Sequence, residues 1–393
     1  FSVKNYGPFR ETATLSMQCT AYKEHPENVV DVDLVGGGIL KSAVVFGPNG
    51  SGKSALIGAM RLLVSVTSGV EELDLSNSPY IPLGDWAVSD GTLITLQACF
   101  AEDGDLYEYS ITFNRDGIEK ESLHHYPKGR RRRVFERGPP GSGPIKGASK
   151  MLDAWTSDCM SYLGAAAIYE DGLCRRVRRM IQGIRVLDGG IPDVKELSEE
   201  IIEHTRGHPW VLDRLANCME ATDFGIVDII AGDEMGYVFG DEVILIHEHQ
   251  GDILCDSLQR VPLRYESEGT RQMLHVMLHC VEALESGGAV FIDDFGSNLH
   301  PEVAKWIVDL FHGGDNSENA QLVVCTHDLM LMDTDDLLRM DQIYFVNKDH
   351  RLGTSEIYCL SDFKRIGKKS DILVMYQDGR FDALPRTISL RRF

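Results

Sequence analysis

Gly47-Pro48-Asn49-Gly50-Ser51-Gly52-Lys53-Ser54 decides the reading of this chain. It fits the phosphate-binding loop G-x-x-x-x-G-K-[ST] at every fixed position. Ala43-Val44-Val45-Phe46, just before it, is an apolar, β-branched run that reads as a buried strand. Ala55 to Leu63, just after it, reads as a helix start with an apolar stripe. A strand, a glycine-rich loop and a helix N-terminus together make an anion cradle, because backbone N–H groups point inward and the helix dipole favours phosphate. Gly47, Pro48, Asn49, Gly50, Ser51 and Gly52 would line the cradle, Lys53 would reach the β- and γ-phosphates, and Ser54 would ligate Mg²⁺. The expected ligand is therefore ATP with Mg²⁺.

A second half-site lies downstream. Ala289-Val290-Phe291-Ile292-Asp293-Asp294 is an apolar strand ending in two carboxylates. Asp293 would hold the Mg²⁺ water shell, and Asp294 sits where a general base would polarise the attacking water. Two acids after a strand are common at solvated strand ends. What favours chemistry is their place before Leu299-His300-Pro301 and before the strand Gln321–Cys325, which delivers Thr326-His327 at its C-terminal end. That is the edge at which doubly wound sheets bind ligands, and His327 could there hydrogen-bond the γ-phosphate or the lytic water. Between the half-sites, Glu266-Ser267-Glu268-Gly269-Thr270-Arg271 leads into a helix. Ser267 is a natural N-cap, so a second helix N-terminus offers a second anion site.

The rest of the pattern is α/β. Phe1–Tyr6 and Thr12–Met17 read as strands, and Thr92–Phe100 and Leu106–Phe113 as a hairpin closed by Asp103-Gly104-Asp105. Arg130–Ser149 reads as a charged turn and a flexible Gly/Pro loop. Helical periodicity runs from about Leu152 to Ala221. Strands return at Glu242–His247 and Leu254–Val261. Helix Arg271–Leu284, helix Pro301–Phe311 and the strands Gln342–Val346 and Ser355–Leu360 complete a mostly parallel sheet.

Composition narrows the class. The 393 residues are 43% hydrophobic, enough for one large domain with an insertion or for two domains, and the net charge of -21 makes the whole surface repel nucleic acid and anionic membrane. Any nucleic-acid contact must be local. Lys128–Arg133 and Arg175–Arg179 are the basic clusters that could make one, or that could bind an acidic trigger protein, although a solvated face is the commoner meaning of such runs. Nine scattered cysteines argue for reduced thiols in a cytoplasmic protein. No apolar run is long enough for a membrane span and no signal peptide is visible. The opening Phe1 in place of Met predicts that leading residues precede this numbering. His247 and His249 share a strand face, but no further zinc ligands are evident beside them, and no metal beyond Mg²⁺ is assigned.

On these residues the chain resembles the ABC/SMC/RecF-like P-loop ATPases. Within them it is similar to the bacterial abortive-infection and anti-phage defence ATPases, of the OLD-like kind without a Toprim nuclease of their own, as in PARIS-type systems. The resemblance rests on Glu266–Arg271 as the signature, on Asp293, Asp294 and Leu299-His300-Pro301, on Thr326-His327-Asp328, on Ser361-Asp362-Phe363, and on Tyr376, Gly379, Arg380, Phe381, Ala383 and Pro385 in the tail. It implies an ABC-type ATPase head with a mostly parallel sheet, an antiparallel β layer and a helical insertion. Residues 1–149 would form the N-terminal half of the core, 150–235 the insertion, and 236–393 the half with signature, Walker B and His switch. It also implies a homodimer, and higher homo-oligomers by analogy, in which each ATP lies between one P-loop and Ser267 and Gly269 of the other subunit. The ATP state would control a separate effector, a Toprim or HNH nuclease. Two departures stand out: the family usually has Glu where this chain has the shorter Asp294, and no Q-loop glutamine is identifiable, Gln97 lying inside an expected strand. A slow ATP-dependent assembly switch and an SMC/RecF-like DNA-repair ATPase stay open as alternatives.

Overall fold

The computed structural model describes residues 1–32, 37–68, 93–169, 172–222, 224–232, 242–249, 257–364, 366 and 371–385. Thr92 and Leu254–Asp256, counted above in expected strands, lie outside the described residues, as does the side chain of His249. In chain order the elements are β1 (Ser2–Lys4), β2 (Ala13–Thr14), β3 (Val29–Val30), β4 (Ile39–Leu40), β5 (Ser42–Phe46), α1 (Lys53–Val66), β6 (Ile94–Glu102), β7 (Asp105–Phe113), β8 (Ile118–Tyr126) and β9 (Arg132–Arg137). Next come α2 (Lys150–Trp155), α3 (Tyr162–Tyr169), α4 (Gly172–Gln182), β10 (Ile184–Leu187), α5 (Val194–Gly207), α6 (Trp210–Ala221), β11 (Ile226–Ala231), β12 (Val243–His249) and β13 (Ser257–Pro262). The last are α7 (Glu268–Ser286), β14 (Ala289–Phe295), α8 (Pro301–His312), β15 (Gln321–Thr326), β16 (Ile343–Asp349), β17 (Thr354–Cys359) and α9 (Ile372–Gln377).

The sheet that carries the phosphate loop has the order β10-β14-β15-β5-β16-β17. Its pairings are parallel from β10 to β16, and β17 closes the edge as an antiparallel hairpin arm. Strands buried on both faces read as continuous apolar runs, which is why Ala43–Phe46 of β5 and Leu322–Cys325 of β15 are apolar without a gap. The pleat then divides each strand between two cores. Val44, Phe46, Ile292 and Val324 point to one core, shared with α5, α6, α7 and α8. Ala43, Val45, Phe291 and Val323 point to the other, shared with α1 and the second sheet. That second sheet is antiparallel, in the order β2-β1-β6-β7-β8-β9, and a third, β11-β12-β13, is also antiparallel. The α/β class with a parallel core and an antiparallel layer is as expected.

Two local readings change. Arg132 and Arg133 do not sit in a charged turn; they begin β9, which pairs with β8 as an edge strand. Charged residues suit a sheet edge, where they discourage pairing with another chain. The stretch 150–235 holds its expected helices but is not all helix: Ile184–Leu187 forms β10 and pairs in parallel with β14, so it belongs to the core sheet. Four residues between two helices, three of them apolar, carry too little periodicity to separate a strand from a helix end.

A buried carboxylate joins the antiparallel layer to the helices. Glu121 on β8 accepts from the Tyr109 hydroxyl (2.9 Å), the Ser161 hydroxyl (3.0 Å) and the N–H groups of Tyr162 (2.8 Å) and Leu163 (2.9 Å). It therefore satisfies first-turn donors of α3 from another element. The tail motif is packing of the same kind. Phe381 stacks on Phe345 of β16 with ring centroids 5.0 Å apart, and the Tyr376 hydroxyl donates to the Ala383 carbonyl at 3.1 Å.

Candidate nucleotide site

The phosphate loop leaves the C-terminal end of β5 and enters α1. Its outer glycines are set by close approach. A Cβ on Gly47 would lie 2.4 Å from the Val346 carbonyl oxygen, and one on Gly52, whose φ is +117°, would lie 2.8 Å from the Pro8 ring. Gly50 has φ +74° and open space around it, as a position facing a ligand requires. Lys53 folds back over the loop, donating to the carbonyls of Gly47 (2.6 Å) and Pro48 (3.3 Å). It is 6% exposed. Burial lowers the pKa of its ammonium, while Cys325 and the nearby Asp293 and Asp294 act to raise it. Ser54, one residue on, is exposed in the first helical turn, where N–H groups have no intrahelical acceptor.

The other three groups come from the neighbouring strands. Because β14, β15 and β5 lie side by side and parallel, their C-terminal ends meet at one edge. Asp293 and Asp294 lie near the C-terminal end of β14, before its last residue Phe295, and His327 follows β15. The β14–β15 register slips between Ile292 and Phe295, and Asp294 has φ +46°. The two acids therefore occupy a bulge, a feature that re-aims side chains beside functional sites. A left-handed conformation is uncommon for a residue other than glycine and costs on the order of 1–3 kcal/mol. The Asp294 N–H donates to Asp293 Oδ1 at 3.1 Å. Burial, then Lys53, lowers the pKa of His327, with Asp294 and Asp293 acting in the opposite direction. The shift favours the neutral ring, which can donate one hydrogen bond and accept another. Thr326 fixes the turn beneath it, donating to the Phe295 carbonyl at 2.7 Å and accepting from the Asp328 N–H at 3.0 Å.

The donor set fits a magnesium nucleotide: a buried ammonium held only by loop carbonyls, an exposed hydroxyl at a helix start and two carboxylates facing them across the strand ends. Lys53, Ser54, Asp293, Asp294 and His327 are thus brought to one edge. Ser267 and Gly269 head a separate element, α7. Ser267 is its N-cap, accepting from the Thr270 N–H at 3.1 Å, and its side chain is exposed. Gly269 sits against the Asn298 carbonyl, 3.1 Å from where its Cβ would be. That carbonyl lies in the turn that follows Asp293 and Asp294.

Two groups escaped the sequence reading, one beside the site and one farther along α7. Gly189, in the loop after β10, lies so close to the acids that a Cβ on it would be 2.1 Å from the Asp293 carbonyl oxygen and 2.7 Å from that of Asp294. Its own carbonyl accepts from Gln272 of α7 at 2.9 Å. Only the unexpected strand β10 brings this loop there. Farther along α7, His275 and His279 meet Glu200 of α5, with one ligand-type atom of each within 4.8 Å of the others. The two histidines at a four-residue spacing were the available signal; the glutamate, from a distant helix, had none.

The basic clusters differ in what they touch. Arg176 and Arg179 of α4 pair with Glu102 at 3.3 and 2.9 Å, and Arg178 donates to the Thr67 carbonyl at 3.2 Å, so this cluster ties α4 to the hairpin and to α1. Lys128–Arg133 remain exposed. No helix among the described residues is long and apolar enough to cross a membrane. None of the eight cysteines among the described residues forms a disulfide.

A family model described as "AAA domain, putative AbiEii toxin, Type IV TA system" matches residues 42–147 and 187–333, more than half of the chain. No curated protein matches the chain. Among solved structures, the Smc head bound to the C-winged helix domain of ScpA is 14% identical with a TM-score of 0.49, covering 91% of this chain and 96% of its own. The SMC head domain from Thermotoga maritima is 14% identical with a TM-score of 0.42, covering 91% and 97%. The Pyrococcus furiosus Smc head with an extended coiled coil, bound to the C-terminal domain of ScpA, is 12% identical with a TM-score of 0.42, covering 96% and 98%.

Proposed function

The chain belongs to this AbiEii-type AAA-domain family, and we propose that it binds and hydrolyses ATP between two copies of itself, the closed state controlling a separate effector in anti-phage defence. The observation that carries the reading is the convergence of Lys53, Asp293, Asp294 and His327 at the ends of three adjacent parallel strands. Lys53 exchanges the carbonyls of Gly47 and Pro48 for phosphate oxygens. Ser54 and Asp293 would hold Mg²⁺, which would supply neutralisation of charge on the phosphate oxygens. Asp294 orients the attacking water and takes its proton. Neutral His327 donates to the γ-phosphate side of that water.

Closure between subunits is supported by the second helix start. Ser267 and Glu268 are exposed at the head of α7, as a contact for another copy's nucleotide requires. The family's description with a toxin system supports the defence setting, and a Toprim or HNH nuclease is the effector class we infer. An acidic trigger protein or nucleic acid would meet the exposed Lys128–Arg133 edge. A slow assembly switch is the second reading, favoured by Asp294 itself. The longest helix among the described residues is α7, with 19 residues, too short for the long coiled coil of a DNA-repair relative.

The test measures ATP affinity, phosphate release and molar mass with and without ATP. Lys53→Ala should abolish nucleotide binding, and Ser267→Arg should leave binding to the P-loop intact while preventing the ATP-dependent increase in mass. Unchanged affinity in Lys53→Ala removes the site assignment. An Ser267→Arg protein that dimerises and hydrolyses like its parent removes the shared site. A neighbouring-gene nuclease that co-purifies equally with and without ATP removes the control of an effector.

A further inference from the structure

The cluster on α5 and α7 is built from two helical pairs at a four-residue spacing, each on one face of its helix: Glu200 with His204, and His275 with His279. Glu200 Oε2 lies 3.0 Å from His275 Nδ1, and Glu200 Oε1 lies 2.8 Å from His279 Nε2. His279 is the informative member. It is 7% exposed, and neither ring nitrogen makes a hydrogen bond of acceptable geometry. The Glu200 oxygen is near Nε2 in distance but lies off the direction in which an N–H would point. A buried polar group left in that state is costly. Two ligand atoms that converge on a common third centre would show the same closeness without alignment.

The surrounding charges are already paired with one another. Glu282 accepts from Arg185 Nε at 3.0 Å and also contacts His204 Nδ1. The His204 and His275 rings both stand edge-on to His279, at 5.8 and 5.2 Å between centroids. Glu200, His275 and His279 are therefore left facing each other. Two imidazoles and one carboxylate are a ligand set for zinc and related divalent transition metals, with a fourth position for water. Ligands at the usual 2.0–2.2 Å from one ion stand roughly 3.3 Å apart at tetrahedral angles; the 2.8 and 3.0 Å contacts run to the two different oxygens of Glu200, and the three ligand atoms lie within 4.8 Å of one another, so side-chain rotations must bring one carboxylate oxygen and both ring nitrogens onto a common centre. His275 and Glu200 are half-buried, which leaves a side from which an ion and its water can enter.

We propose that Glu200, His275 and His279 bind one divalent transition-metal ion of the zinc class, which pins α5 to α7, the helix that Ser267 begins. The site is separate from the nucleotide edge: His275 and His279 follow Ser267 by 8 and 12 residues, roughly 12–18 Å along the helix at 1.5 Å per residue.

The experiment uses tag-free, nucleotide-free protein, stripped with a chelator and kept in excess Mg²⁺. It is titrated with Co²⁺ and separately with Zn²⁺. One ion per chain should bind, the Co²⁺ form should show the visible absorption of a tetrahedral or five-coordinate N/O site, and Zn²⁺ should raise the thermal midpoint. His275→Ala and Glu200→Gln should each weaken Zn²⁺ binding at least tenfold and remove the rise in midpoint. His208→Ala, an exposed histidine after α5, should do neither. His279→Ala is the stricter variant, and the half-buried pair keeps the test decisive if that protein does not fold. No saturable binding in the presence of Mg²⁺, or the same affinity in parent, His275→Ala and Glu200→Gln, overturns the proposal.

Discussion

Replacing Gly189 by Ala is a small change away from the P-loop, yet the structure gives it a large expected effect. The added methyl carbon would lie 2.1 Å from the Asp293 carbonyl oxygen and 2.7 Å from that of Asp294, where ordinary van der Waals contact begins at 3.4 Å. Something must move by a little over 1 Å. The Gly189 side is held by Gln272, which is 1% exposed on α7 and donates to the Gly189 carbonyl at 2.9 Å. The acids stand in a bulge where the ladder is already interrupted, so the end of β14 is the softer side. Overpacking of this kind costs roughly 1–3 kcal/mol of stability, and a shift of about 1 Å in a reacting group costs on the order of 100-fold in rate.

The P-loop hangs from β5, two strands away, so nucleotide affinity should change by less than about threefold, under 1 kcal/mol. The assay pairs single-turnover phosphate release with equilibrium ATP binding, and a thermal midpoint confirms that the variant is folded. Gly190→Ala is the control, since a Cβ there meets nothing within 4 Å; its rate should stay within twofold of the parent. A folded Gly189→Ala protein that releases phosphate at the parental rate refutes the placement of Asp293 and Asp294 as the reacting acids. A variant that loses ATP binding as severely as turnover refutes the separation of the two half-sites.

Asp294→Asn should keep ATP affinity while slowing phosphate release by roughly 100-fold or more, the usual weight of a general base, and should accumulate the ATP-bound dimer in light scattering; parental turnover would remove Asp294 as the base. His312 supplies a pH dependence. Burial first, and Lys41 second, lower its pKa from 6.5 to about 4, and its Nε2 lies 2.8 Å from the Ser42 hydroxyl. A folded value below the unfolded one means that the unfolded chain binds the extra proton, so this contribution is complete above pH 6.5 and is lost as pH falls toward 4. Between pH 7.5 and 5 it amounts to about 2 kcal/mol. Urea unfolding at the two pH values should show a smaller drop for His312→Gln than for the parent, and equal drops would contradict the assignment.

What could be read from the sequence is what physics writes contiguously. A phosphate cradle needs its glycines, lysine and hydroxyl within eight residues of one strand–loop–helix, so Gly47–Ser54 is legible alone. Asp293 and Asp294 announce themselves because a buried parallel strand is an apolar run and carboxylates at its end are conspicuous. Ser267 is legible through N-cap chemistry. The missed features depend on partners far along the chain. The strand β10 is four residues long, and its identity comes from pairing with β14 about 100 residues later. The Arg132 and Arg133 run looks like a turn until β8 provides a ladder. Glu200 is an ordinary helical glutamate until α7 brings His275 and His279 against it.

The same long-range contacts explain why the half-sites do not act as independent motifs. Gln272 lies five residues after Ser267, little more than one helical turn into α7. Its amide holds the Gly189 carbonyl, and Gly189 presses on the backbone of Asp293 and Asp294. At the other flank Gly269 packs on Asn298, in the turn that follows those acids. The start of α7 is therefore braced against both sides of the bulge that aims Asp294. A displacement of the α7 N-terminus must either stretch the Gln272 hydrogen bond or carry the Gly189 loop with it, and that loop has no free space toward the acids. In a close-packed interior such a shift is transmitted rather than absorbed. A nucleotide contact made at Ser267 would thus be felt at the acids of the same chain, one hydrogen bond and one backbone contact away.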